Sequence, residues 1–541
     1  KLEAWGYRLK MMKGEYADEF KKAAGDDYQP GDEWKHLSQE MLDYCVQDVA
    51  VTEALYLKLV EKNYSSQALE LEHGVAWLMA KQERNGFPFD AAKGAALYAK
   101  LAQRRGELEA ELKNYFRYWF APAGYTMPKV NNKARGVTAG VPYTKVKIVE
   151  FNPASRDHIA DRLMKLYGWE PEVFTDGGKP KVDEEVMSKL DYPPCALLTE
   201  YLLVQKRISQ LAEGDQAWLK VERQGKIHGS INPNGAVTGR ATHAFPNVSQ
   251  VPSVGSPYGY ECRALFGVET IRHMWPDARE VGSDASGLEL RCLAHFMARY
   301  DGGKYAEILL NGDIHWANVQ AMGLTDEDRD ESNKLHKVYR DGAKTFVYGF
   351  LYGAGDHKIG KIVYGMLMAA KNFGLDYGHI ANTFFNGNIH PSDEELKAAG
   401  KKLKATFLKK TPALKKLIEA VKEAAKRGYL IGLDGRQLHV RSSHAALNTL
   451  LQSAGALVCK KWLLIMEEEL DARGLKHGWD GDFALMAWVH DEAAVAARTP
   501  EIAEVIAKVA RECVAKAGEH FNFRCPLDGE SKIGLNWAET H

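Results

Sequence analysis

Two short acidic segments carry the chemistry available to this chain. In Ala487-Trp488-Val489-His490-Asp491-Glu492-Ala493-Ala494-Val495 an apolar run is broken by adjacent carboxylates. That pattern predicts two paired strands whose tight turn pushes Asp491 and Glu492 to the sheet surface. Exposed acids side by side repel one another and gain most from a divalent cation. Taken alone, the pair reads equally well as a polar hairpin turn. The second segment is Val281-Gly282-Ser283-Asp284-Ala285-Ser286-Gly287-Leu288-Glu289-Leu290-Arg291. It predicts a short strand ending at Asp284, a glycine turn, and an amphipathic helix through Phe296. If the two tips converge, Asp284 and Asp491 can bridge a pair of oxygen-ligated metal ions, as in-line phosphoryl transfer requires.

Phosphoryl transfer needs a cradle for the phosphates, and one segment suits it. Arg340, Lys344, Tyr348 and Tyr352 are four residues apart, so on a helix they form one stripe. Two cations followed by two rings match a nucleoside triphosphate, whose phosphates need positive charge and whose base needs a flat apolar surface. Apart from the acids, such a stripe is more often a solvated face. The Gly-punctuated segment from Asn232 to Thr242, with Arg240 in it, is of the kind that sits against a nucleic-acid backbone or minor groove. An ordinary turn loop is the plain alternative.

The elements that must position these residues follow from the rest of the chain. With 541 residues and 45% hydrophobic content it has the material for several cored domains. Lys plus Arg number 71 against 72 Asp plus Glu, so any nucleic-acid contact must come from local patches. Seven cysteines form no CxxC pair, which predicts reduced, buried thiols and an intracellular setting. No apolar run is expected to reach membrane-spanning length, and the start has no signal-peptide layout. A first residue other than Met suggests a chain that begins inside a longer gene product. Residues 2–62 are mostly helical in pattern, with Tyr44 and Asp48 on one helical face. Helices are also expected over about 65–112, 195–220 and 448–470. The segment from Tyr115 to Lys147 differs in kind, rich in aromatics, Gly, Pro and cations including Lys129, Lys133, Arg135, Lys145 and Lys147. It reads as a phosphate-backbone contact or a solvated loop. Residues 361–399 read as an inserted helix and loop. The final stretch, from Glu512 to Trp537, reads as a helix followed by strands completing the acidic hairpin's sheet.

In order along the chain stand TGRATHAFPNVSQVP from Thr238, DASGLELR from Asp284, R-x3-K-x3-Y-x3-Y from Arg340, QSAGA from Gln452, and VHDE ending at Glu492. Together they resemble family A DNA polymerases, in particular the replicative enzymes of T7-like phages, and the resemblance runs the length of the chain. It implies an α+β right-hand fold: an antiparallel palm sheet, helical fingers and thumb, and a helical remnant of an RNase H-like exonuclease. The implied boundaries are 1–62 for that remnant, 63–221 thumb, 222–301 palm, 302–436 fingers and 437–541 palm. It implies template-directed addition of deoxynucleotides to a primer 3′-hydroxyl for phage replication in the host cytoplasm. Asp284, Ala285 and Asp491 would hold two Mg²⁺ ions, with Glu492 an auxiliary acid. Arg340, Lys344 and His315 would bind the triphosphate, Tyr348 and Tyr352 the nucleotide and template base. Thr238, Arg240, Gln452 and His490 would contact primer–template DNA. Glu289 resembles a steric gate against a 2′-hydroxyl, and Tyr348 the variant that tolerates dideoxynucleotides. Tyr44 and Asp48 resemble the last exonuclease motif, whose upstream carboxylates are not in this sequence. Proofreading would then require a separate upstream fragment. The short Tyr115–Lys147 segment, where T7-type enzymes have a long thumb insertion, argues against thioredoxin as a partner. Two alternatives remain: a single-subunit RNA polymerase-like enzyme, and a catalytically silent primer–template binding protein.

Overall fold

The apolar runs on either side of His490-Asp491 do form a hairpin. The computed structural model describes residues 2–541. In it, Phe483–Val489 and Glu492–Ala497 pair antiparallel, and Arg279–Ala285 and Gly529–Gly534 extend them into a four-stranded sheet. Arg279–Ala285 lies inside this sheet, with Asp284 facing Glu492 on one side and Glu530 on the other. Every residue of both hairpin strands is buried, so strand alternation separates two apolar surroundings rather than core from water. Leu485, Ala493 and Val495 join the cluster containing Trp462 and Leu463, whereas Ala494 and Ala496 join the one containing Phe87, Phe266 and Trp537.

The long helix Ala446–Ala472 packs against the helices Pro500–His520 and Ser66–Asn85 and is buried along most of its length. Its length and mean hydropathy reach those of a membrane span, but 72% of its apolar window is buried inside the fold. It is a core helix. Within it Lys460 is wholly buried, its ammonium 2.5 Å from Glu72 Oε1 on the helix Ser66–Asn85. Arg436 reaches the same oxygen at 2.6 Å and Asp434 at 2.7 Å. One buried ionic network therefore fastens the 66–85 helix to the long core helix and to the 429–439 ribbon.

Residues 361–399 are more regular than expected. Asp356–Asn372 and Asp393–Lys410 are helices packed in close contact, with Gly378–Phe385 beside them. A Cβ on Gly360 would meet the Leu396 carbonyl at 1.8 Å, and one on Gly400 the Asp356 carbonyl at 1.8 Å. These two glycines let the backbones touch. The segment after Phe116 also differs from a solvated loop: Tyr118–Thr126 and Tyr143–Glu150 pair as an antiparallel ribbon. All seven cysteines are free, six of them buried.

His295, on the helix Leu288–Asp301, stacks on Phe523 at 4.3 Å and accepts a hydrogen bond from the Arg524 backbone N–H. Burial, then the Arg524 and Arg299 charges, push its pKa down to about 4. A neutral imidazole in the fold and an ordinary one in the unfolded chain give a definite sign. The stabilisation is complete above about pH 6.5 and is lost as pH falls toward 4, by about 3 kcal/mol at most. His295→Phe is expected to flatten the decline of Tm between pH 7 and 5; an unchanged decline would remove His295 as its source.

Candidate active site

The acidic tips meet. The Ala285 backbone N–H donates to the Asp491 carbonyl at 3.1 Å, so the end of one strand is pinned to the turn of the next. That turn is only His490-Asp491. His490 takes a left-handed conformation, φ 58°, unusual for a side-chain-bearing residue. The Trp488 indole N–H holds the turn by donating to the His490 carbonyl at 2.9 Å. Asp284 keeps contact with solvent, yet surrounding protein first, then Asp491 and Glu492, raise its pKa to about 7. Carboxylate oxygens of this kind are the donors a hard divalent cation takes. Among the described residues no three His, Cys, Asp or Glu side chains gather as a metal-holding group, so phosphate and water oxygens would have to complete any coordination.

Glu492 departs from the expected exposed tip. With a two-residue turn it is already inside the ladder, and alternation places it with Ala494 and Ala496 against the second apolar cluster. It is buried, accepting from the Trp537 indole N–H at 2.6 Å, with the His541 ring at 2.9 Å and Arg263 at 3.7 Å. Arg263 in turn lies over the Trp537 ring at 4.2 Å. None of these partners is near Glu492 in sequence, so no local signal could show that this acid is bound inward.

A cleft beside the turn brings together Arg240, Glu289, Gln452, His490 and Asp491, from four separate segments, with His243, Leu288 and Trp488 in its wall. His243, which sequence reading missed, is held neutral there, its pKa lowered to about 4 by burial and then by the nearby His490. Thr238 does not line this cleft; the adjacent Gly239 instead lies against Arg436. Glu289 sits in the first turn of Leu288–Asp301, with Arg240 at 3.5 Å. The Tyr352 hydroxyl donates to the Glu289 carboxylate. Tyr352, expected beside a template base, here closes over Glu289, because it lies just past the end of Lys334–Leu351 where the chain turns back.

That helix carries the rest of the predicted stripe. Arg340 Nε donates to Asp313 Oδ2 at 2.8 Å. Asp313 also caps Ile314–Met322 by accepting from the His315 and Trp316 backbone N–H groups. An Asp preceding a helix is a readable cap, so Asp313 could have been found from sequence as a cap, although its pairing with Arg340, 27 residues on, could not. His315 loses basicity to burial first and then to the Arg340 charge, with Lys344 adding to the effect; the three cationic candidates share one neighbourhood. Tyr348 lies near Glu289 and Asp491, whose charges add to the effect of burial in raising its pKa. The stripe therefore faces the acids.

Tyr44 and Asp48 lie on Gln39–Val60, far from these groups in sequence. Tyr44 packs with Tyr16 and Trp34 at 5.8 and 5.9 Å, and Lys13 lies 3.7 Å from Asp48. Here the pair has a packing role and a cationic neighbour.

Two acids at a sheet rim, a cation-bearing helix facing them, and a cleft with Arg, Gln and His lining define a nucleotidyl-transfer site of the polymerase kind. The chain belongs to DNA polymerase family A, whose family model matches residues 131–539. It is 47% identical to the DNA-directed DNA polymerases of Enterobacteria phage T3 and Escherichia phage T7, across 100% of this chain and 82% of each relative. The POL domain of Pol1 from M. smegmatis, solved in complex with DNA primer-template and dNTP, has the same fold. Its TM-score is 0.68 at 18% identity, covering 100% of this chain and 79% of that one.

Proposed function

We propose that this chain adds deoxynucleotides to the 3′-hydroxyl of a primer–template duplex, with Asp284, Asp491 and the Ala285 carbonyl holding two Mg²⁺ ions. It is a phage-type DNA-directed DNA polymerase, a nucleotidyltransferase, and family A polymerases use divalent metal ions. The observation that carries it is the Ala285-to-Asp491 backbone bond, which holds the two acids together at the rim of a cleft. When bound, such a metal pair lowers the pKa of an attacking hydroxyl and offsets charge developing on the leaving pyrophosphate.

Arg340, held by Asp313 through Nε, would offer its terminal guanidinium nitrogens to the triphosphate beside Lys344 and His315. Tyr348 and Glu289 would border the sugar, and Arg240, Gln452 and His490 the primer–template end, with Thr238 outside the cleft as a further backbone contact. Tyr352 must release Glu289 before a nucleotide seats, so binding and rearrangement would be coupled. Glu492 would act by fixing the sheet rim. Residues 1–62 would be an exonuclease remnant, 63–221 thumb, 222–301 and 437–541 palm, and 302–436 fingers. The enzyme would act inside the infected host.

Primer extension on a defined template with Mg²⁺ tests the reading: deoxynucleotides should be incorporated and ribonucleotides refused. Equal use of ribonucleotides by the unaltered chain would sink the gate assignment. For Glu289→Ala, removal of the gating carboxylate is expected to raise ribonucleotide use relative to deoxynucleotide by about tenfold or more in kcat/KM.

A further inference from the structure

We propose that the ribbon Tyr118–Thr126/Tyr143–Glu150 is a second nucleic-acid contact, taking single-stranded DNA on a stacking face made by Tyr118, Phe120 and Tyr125. The proposal goes beyond the polymerase site, which lies in other elements.

Register defines the face. Tyr118 pairs with Glu150, Phe120 with Ile148 and Pro122 with Val146; then a bulge intervenes, and Tyr125 pairs with Thr144. Directly paired residues share a face, and positions 144, 146, 148 and 150 alternate onto one side. The extra residue of the bulge therefore brings Tyr125, an odd number of positions from Phe120, round to the same side as Tyr118 and Phe120. The three rings are 61%, 66% and 72% exposed, and Val146 and Ile148 beside them 65% each. Soluble surfaces rarely leave so contiguous an apolar face without a use. The reverse side is anchored: Trp119 is half-buried, with Arg162 over its ring at 4.0 Å and His158 at 5.1 Å. The rings thus project from a ribbon tied down at its base.

Charge selects the occupant. From Tyr115 to Val149 the chain contains Arg117, Lys129, Lys133, Arg135, Lys145 and Lys147 and no Asp or Glu, within a protein of net charge −1. Among the described residues none of these six cations is in an ion pair; the nearest pair, Lys113–Glu150 at 3.8 Å, lies at the ribbon's base. Two copies of such a ribbon would repel each other, which argues against self-association. Duplex DNA would satisfy the cations but hide its base faces, leaving the rings idle. By the same register Lys145 and Lys147 leave the ribbon on the side opposite the rings, and Lys129, Lys133 and Arg135 lie in the loop that joins its strands. A single strand stacked on the rings would meet these cations at the narrow ribbon's edges and tip, offering phosphates and open base faces together.

The test is anisotropy of labelled oligo(dT) with the full chain, set against a blunt duplex. In the double variant Phe120→Leu/Tyr125→Leu, apolar bulk stays and the rings go. Oligo(dT) affinity is expected to fall by about tenfold or more, with duplex affinity and extension from a short recessed primer unchanged. Asp491→Ala should keep oligo(dT) binding while losing extension, so failure of the polymerase reading would register separately. Unaltered oligo(dT) affinity in the leucine variant would overturn the proposal. Equal losses on single strand and duplex would also overturn it, reducing the ribbon to a backbone contact.

Discussion

Asp491→Ala is expected to abolish template-dependent extension while leaving primer–template binding close to that of the unaltered chain. Asp491 sits in a two-residue turn pinned to Ala285, beside an Asp284 whose carboxyl is already held up to about 7 by burial and by its acidic neighbours. Removing Asp491 takes away half of the acidic pair without disturbing the buried strands around it, all of whose side chains face core. Loss of a metal-holding acid removes several kcal/mol of stabilisation that operates as charge develops. At roughly 1.4 kcal/mol per tenfold, the rate should fall by about three orders of magnitude or more. Asp284→Asn should do the same, and combining the two should add little, because the acids act as a unit. Single-turnover extension beside duplex-binding titrations checks this. A variant that extends within tenfold of the unaltered rate would remove Asp491 from the chemistry.

Glu72→Ala should produce the largest loss of stability of any change outside the site. Glu72 Oε1 is shared by Lys460 at 2.5 Å and Arg436 at 2.6 Å, and the Lys460 side chain has no solvent exposure. Burial lowers the Lys460 pKa, and Glu72 works against that effect. Without Glu72 the ammonium is left in the core with little compensation, at a cost of about 3–5 kcal/mol. The sign with pH follows: a lysine depressed in the fold costs most where the unfolded chain keeps it charged, so the deficit should shrink as pH rises toward 10.5. Adding Lys460→Met should recover much of the loss, since an apolar residue needs no partner there. Denaturant unfolding of the single and double variants reads both effects. A loss under about 1 kcal/mol in Glu72→Ala would mean that Asp434 suffices to compensate Lys460.

Sequence by itself determined the parts whose signal is local. The alternating apolar runs around His490-Asp491 specified a hairpin because both strands lie within one short window, and the Gly287 turn marked where strand gives way to helix after Asp284. Four-residue spacing put Arg340, Lys344 and Tyr348 on one stripe because a helix of any surroundings does so. The order of the motifs brought the polymerase family into view before any geometry. Tertiary structure alone decided what depended on distant partners. Glu492 looked like an exposed acid, and Trp537, Arg263 and His541 hold it inside. Tyr352 is expected beside the template base on its spacing and resemblance alone, and Glu289, 63 residues away in sequence, binds its hydroxyl. Residues 361–399 read as an inserted helix and loop, and Gly360 and Gly400 are the places where two helices touch. In the ribbon after Phe116, one bulge in the strand register sets which side Tyr125 takes. Local periodicity records which face a side chain leaves its own element by. What it meets there is set by segments whose approach no short window encodes.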